Sequence, residues 1–141
     1  MPVWSNIMQS ILIIALSLHV LSSVFWAGSS FTLARTGGLG GEKLLVPQIG
    51  AATVAIVTGA TLWQLVHEGS FGRSEQILAG GAIAALAAIA VQIIVGGGAI
   101  RQMRNGAGDQ SAGRSRLAVA HRIAATLLTI TALCMGAARY A

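Results

Sequence analysis

The sequence predicts an all-α protein, an up-and-down bundle of four transmembrane helices with both termini outside. Three observations predict it. Only 9 % of the residues are charged and 55 % are hydrophobic, against a charged share of about 25 % in soluble domains. Such a chain lacks the polar surface that would cover a water-soluble globule. Four apolar runs reach the roughly 20 residues that a helix needs to cross a bilayer core of about 30 Å. The runs are long and Ala-rich and lack period-two alternation, which disfavours transmembrane strands. At 141 residues the four spans make one domain, residues 1–141.

The first span lies within residues 5–33. No Lys, Arg, Asp or Glu occurs from Met1 to Ala34. The run exceeds what the bilayer requires, so it tilts or projects beyond the lipid. It has no basic n-region and is too long for a signal peptide, so it reads as a retained span. The second span is about 45–66, with Pro47 suited to a first-turn position. The third, about 76–100, contains "AGGAIAALAAIAVQIIVGGG". Its small residues Gly81, Ala84, Ala85 and Ala88 permit close helix contacts or a homo-oligomer. The fourth, about 117–138, carries His121 and Arg122 near its start.

Loop charges set the orientation. Loop one has Arg35 and Lys43; loop three has Arg101, Arg104, Arg114 and Arg116, with Arg122 just inside the next helix. Only Arg73 and Arg139 lie on the other side. The positive-inside rule places loops one and three in the cytoplasm of a bacterial-type inner (plasma) membrane. Trp4, Trp63, Phe71 and Tyr140 then form an outer aromatic belt. The basic residues sit in short loops between apolar runs, which points to the lipid bilayer as partner and away from nucleic acid. Loop one's "TGGLGGEK" lacks P-loop spacing and a flanking strand, so it is no phosphate loop. Cys134 stands alone in an apolar run and implies no disulfide framework.

Candidate functional residues come from the histidines. His19 shares a helix face with Ser22, Ser23, Trp26 and Ser30. That stripe should turn inward, because lipid cannot satisfy hydroxyls. An intramembrane imidazole is a ligand candidate; a structural hydrogen bond is the other reading. His121 lies among Ala118, Ala124, Ala125 and Leu128, small enough neighbours for a flat ligand or for tight helix packing. Two imidazoles on facing helices can ligate haem iron axially. His121 lies about 6–8 Å and His19 about 11–18 Å from the cytoplasmic boundary, so the pair needs tilt to meet. His67, beside Glu68, reads as interfacial. Met8, His67, Cys134 and Met135 would share the outer part of the bundle, a donor set suited to Cu(I). Zinc motifs, a hydrolase elbow and paired intramembrane carboxylates do not occur.

"HVLSSVFWAG" followed by Arg35 resembles the first-helix pattern of the superfamily containing CopD-type copper-resistance membrane proteins and HemJ-type protoporphyrinogen oxidases. His19 precedes Trp26 by seven residues, as in both groups. Trp26-x-Gly28 and "VTG" at 57–59 are similar to CopD, and Arg35 is similar to HemJ. The likeness covers about residues 12–35. It implies a polytopic bundle and, from the HemJ side, haem b and protoporphyrinogen oxidation with His19 as ligand.

The leading expectation is a b-type haem-binding membrane protein acting in electron transfer or protoporphyrinogen-type oxidation. It would serve a redox partner or a small hydrophobic substrate. His19 and His121 are the candidate axial ligands, Trp26 packs on the macrocycle, and Arg35 or Arg122 meets propionates. Copper handling and a non-enzymatic small membrane subunit or scaffold stand as alternatives.

Overall fold

Thirty-three consecutive residues, Val3–Arg35, form α1. At 1.5 Å per residue it is about 50 Å long, well beyond the lipid core. It ends where the sequence supplies glycine. Gly37 takes φ 66°, and the Gly38 N–H donates to the Leu33 carbonyl at 2.8 Å, a Schellman closure that a left-handed residue permits. The structure, a computed structural model, describes residues 3–66, 69, 71–106 and 109–141. The expectations for His67 and for the Trp4 side chain lie outside the described parts.

The remaining elements are α2 (Gly41–Val66), α3 (Arg73–Val91), a π-helical segment (Gln92–Gly96), α4 (Gly97–Arg104) and α5 (Gln110–Ala138). The π segment joins α3 and α4 into one rod, so there are four rods, each long and apolar enough to cross a membrane. Most element bounds depart from the sequence reading by two to seven residues, and three departures matter. α2 starts at Gly41, which puts Pro47 in the second turn instead of the first; having no N–H, it leaves one helical bond unmade. α5 starts seven residues before the expected 117. Its N-cap is Asp109, whose carboxylate accepts from the Ser111 N–H at 2.9 Å and the Ser111 hydroxyl at 2.5 Å. The third rod is interrupted by i→i+5 bonding at Gln92, a device frequent at functional sites.

α1 packs between α2 and α5, and α5 packs between α1 and α3; α2 meets the third rod chiefly at the π segment. The turns between rods gather loops one and three at one end, the basic end, and both termini at the other. At mid-height Trp26 packs with Ala52, Ala55, Ala88, Ala124 and Leu128, so one indole fills the space that alanines on the other rods leave. The small face of α3 is used inside the chain. Gly81, Ala84 and Ala88 are buried, and a Cβ on Gly81 would come within 2.9 Å of the Cys134 Cβ. Gly81, Ala84 and Ala88 of that face are thus used within the chain, against α5. Near the basic end Leu117, 1 % exposed, seats against Gly38, Gly41 and Gly96. The glycines of loop one thus form a turn and a socket for a side chain. Large apolar residues such as Leu21, Val24, Ile83 and Leu133 stay exposed on the outer faces.

Candidate functional site

The polar interior is built outward from one group that can only donate. The Trp26 indole N–H donates to Gln92 Oε1 at 2.7 Å, which fixes the amide orientation of Gln92. Gln92 Nε2 is then a donor. It gives to Ser30 Oγ at 2.8 Å and lies 3.4 Å from His121 Nδ1. Ser30 spends its own hydrogen on the Trp26 carbonyl at 2.8 Å, so its oxygen is free to accept. The same logic orients Gln48. Ser29 donates to the Phe25 carbonyl at 2.7 Å and accepts from Gln48 Nε2 at 2.9 Å. One network thus ties α1 (Trp26, Ser29, Ser30), α2 (Gln48), the π segment (Gln92) and α5 (His121).

The direction of this chain fixes a tautomer. His121 Nδ1 accepts from an amide, so the neutral ring carries its hydrogen on Nε2. His121 is wholly buried, and its Nε2 and Gln48 Oε1 have no partner among the described residues. One is a donor and the other an acceptor. A buried water is the usual partner of such groups.

His19 stands in a different setting, half-buried against α2. Its Nδ1 lies 2.8 Å from the Ala55 carbonyl and 3.3 Å from Thr58 Oγ1. A carbonyl only accepts, and Thr58 spends its hydrogen on the Val54 carbonyl at 2.6 Å. His19 Nδ1 therefore carries the hydrogen and Nε2 the lone pair. A ring N–H held by a backbone carbonyl is the arrangement that orients a metal-ligating histidine. Gly59 permits the approach: a Cβ there would stand 3.0 Å from His19 Cε1.

The expected axial pair is not assembled. Ser30 marks the height of His121, and it lies 11 residues, about 16 Å, along α1 from His19. Two axial nitrogens with metal bonds of about 2 Å stand only about 4 Å apart. The tautomers also differ, since His121 offers no lone pair at Nε2. Trp26 is 2 % exposed and enclosed by alanines, so neither face is open to a macrocycle. Arg35 is exposed at the end of α1, and Arg122 reaches the Ala34 carbonyl at 3.5 Å. Along the axis Arg35 lies about 24 Å from His19, and the Arg122 guanidinium is drawn to the height of Ala34, about 22 Å from it. Of the two described histidines, His19 is the one whose lone-pair nitrogen is not engaged by the protein. Among the described residues, no three His, Cys, Asp or Glu side chains gather as a metal site. Met8 and Met135 are exposed, and Cys134 packs against α3.

Sequence reasoning missed Gln48, Gln92 and Ser29. The signal was present, since a lone amide inside an apolar run needs an intramolecular partner as much as an imidazole does. No protein-family model, curated protein or solved structure matches the chain.

Proposed function

We propose that the protein is a multi-pass membrane protein that binds b-type haem through His19, acting in electron transfer or porphyrinogen-type oxidation. One observation carries this reading. At the centre of the longest helix, the His19 Nδ1–H is tied to the Ala55 carbonyl at 2.8 Å, which leaves the Nε2 lone pair for a metal. When bound, haem would supply one-electron chemistry. His19 would orient it, and the exposed apolar flanks of α1 would exclude water. The charge asymmetry of the loops supports cytoplasmic loops one and three and outer termini in a bacterial-type inner membrane. Labelling with an impermeant maleimide should modify Ala141→Cys and spare Ser115→Cys in intact cells, each in a Cys134→Ser background.

The test is the absorption spectrum of protein purified after expression with adequate haem. A Soret band is expected in the wild type and in His121→Phe, and its loss in His19→Ala. No band in the wild type, or an unchanged one in His19→Ala, overturns the reading. Copper handling would instead give stoichiometric copper that survives chelation. A non-enzymatic membrane subunit is the second reading. It is favoured by the network of Trp26, Gln48, Gln92 and His121, in which these polar groups join helix to helix. It predicts a colourless protein that co-purifies with another chain.

A further inference from the structure

We infer that the groove between α1 and α5 at the basic end is a binding site for one anionic phospholipid, with Arg122 holding its phosphate. The inference is independent of haem and rests on the reading of the chain as membrane-spanning. The groove has a volume of about 430 Å³, and Phe31, Ala34, Ala125, Thr129 and Ile130 line it with Arg122 at one end. From Arg122 to Ile130 it follows α5 for about 12 Å, the length of a substantial part of an acyl chain. Its walls are apolar in effect. Thr129 gives its hydroxyl hydrogen to the Ala125 carbonyl at 2.8 Å and Thr126 to the Arg122 carbonyl at 3.0 Å, so the side chains have their polar ends satisfied by their own helix.

Charge decides which lipid. The Nε of Arg122 is directed at the Ala34 carbonyl at 3.5 Å, in the last turn of α1, so its guanidinium sits at the height where α1 ends. The two terminal nitrogens are left for another partner. No carboxylate pairs with Arg122 among the described residues. The chain has only four acids against nine bases, and Asp109 is held by Ser111. An arginine at the edge of an apolar groove is costly unless an anion meets it. A phosphate presents two oxygens to the guanidinium fork, while the acyl chain covers the apolar strip below. The rim offers a cation and no carboxylate, so a headgroup with its own ammonium gains nothing extra there.

The test is native mass spectrometry of detergent-purified protein incubated with phosphatidylglycerol or phosphatidylethanolamine. The wild type should retain one phosphatidylglycerol about five- to tenfold more strongly than phosphatidylethanolamine. Arg122→Gln should abolish that preference. Thr129→Trp, which fills the groove and keeps the charge, should lower retention of the lipid. Arg116→Gln, on the same side but outside the groove, should leave both unchanged. A phosphatidylglycerol preference in Arg122→Gln as strong as in the wild type, or equal losses of it in Arg122→Gln and Arg116→Gln, overturns the site. So does a dimer in light scattering that Thr129→Trp converts to monomer, because a second copy would then be the occupant. Recovery of the chain from the soluble fraction without detergent overturns the membrane reading and the site with it.

Discussion

Replacing Gln92 by Met keeps the length of the side chain and removes every polar atom of its amide. Gln92 makes contacts at 2.7, 2.8 and 3.4 Å to Trp26, Ser30 and His121. Hydrogen bonds between membrane helices are worth about 0.6 kcal/mol each on average, so the three amount to about 2 kcal/mol. The indole N–H is buried and would lose its acceptor. If the bundle cannot relax to offer another, the loss grows to about 4 kcal/mol. For a chain of this length, about 2–4 °C of melting temperature corresponds to each kcal/mol. Gln92→Met should therefore melt about 5–15 °C below the wild type. The assay is thermal unfolding in detergent followed by tryptophan fluorescence. Trp26→Phe removes the donor of the same bond, so the double variant should lose less than the sum of the single losses. A Gln92→Met protein melting within about 1 °C of the wild type, or strict additivity in the double variant, would refute the network as a source of stability.

Three further outcomes rest on local contacts. Gly81→Ala places a Cβ 2.9 Å from the Cys134 Cβ and 3.4 Å from the Thr131 backbone carbonyl, and should cost about 1–3 kcal/mol by overpacking. Gly28→Ala meets nothing within 4 Å and should gain about 0.5–1 kcal/mol in the middle of α1. Melting curves for the pair should move in opposite directions. The Ser111 hydroxyl and N–H hold the Asp109 carboxyl below its ordinary range. A depressed folded-state pKa contributes order above the ordinary carboxylate value and loses it as pH falls through the folded value. Amide exchange at Ser111 and Ala112 should therefore show protection that disappears under acid and is absent in Asp109→Ala at neutral pH.

The four long apolar helices were legible because composition and run length alone decide them. The inward stripe of α1 was legible too. Ser22, Trp26 and Ser30 are buried while Val20 and Leu21 are exposed, as a 100° period requires. Relations between helices were not legible. Nothing in "QIIVG" announces a π segment, whose extra residue changes the face presented beyond Gln92. The relative height of His19 and His121 was also not legible closely enough to reject the pair, because boundaries read from hydropathy drift by several residues. α5 in fact begins at Gln110 and carries polar residues past the apolar run. What loop one's glycines do was not legible either. They serve a left-handed turn at Gly37 and a seat for Leu117, and both purposes depend on partners distant in sequence.

The two described histidines give the sharpest contrast in the bundle, because the same ring has been placed in opposite tautomers by partners whose roles are not interchangeable. A carbonyl forces the hydrogen of His19 onto Nδ1. An amide N–H, oriented by an indole, forces that of His121 onto Nε2. The count of donors and acceptors alone decides both tautomers. Imidazole nitrogen shifts in labelled protein, assigned with His19→Ala and His121→Phe, should show the protonated nitrogen at Nδ1 in the first ring and at Nε2 in the second. Gln92→Met should release His121 from its constraint and leave His19 unchanged, since His19 depends on α2 and not on the network. If both rings carry the hydrogen on the same nitrogen, one of the two partner assignments is wrong. If His19 is the one that proves to be Nε2–H, its lone pair lies on Nδ1, turned against α2 and away from a metal, and the metal reading falls while the helix-locking role of the network stands.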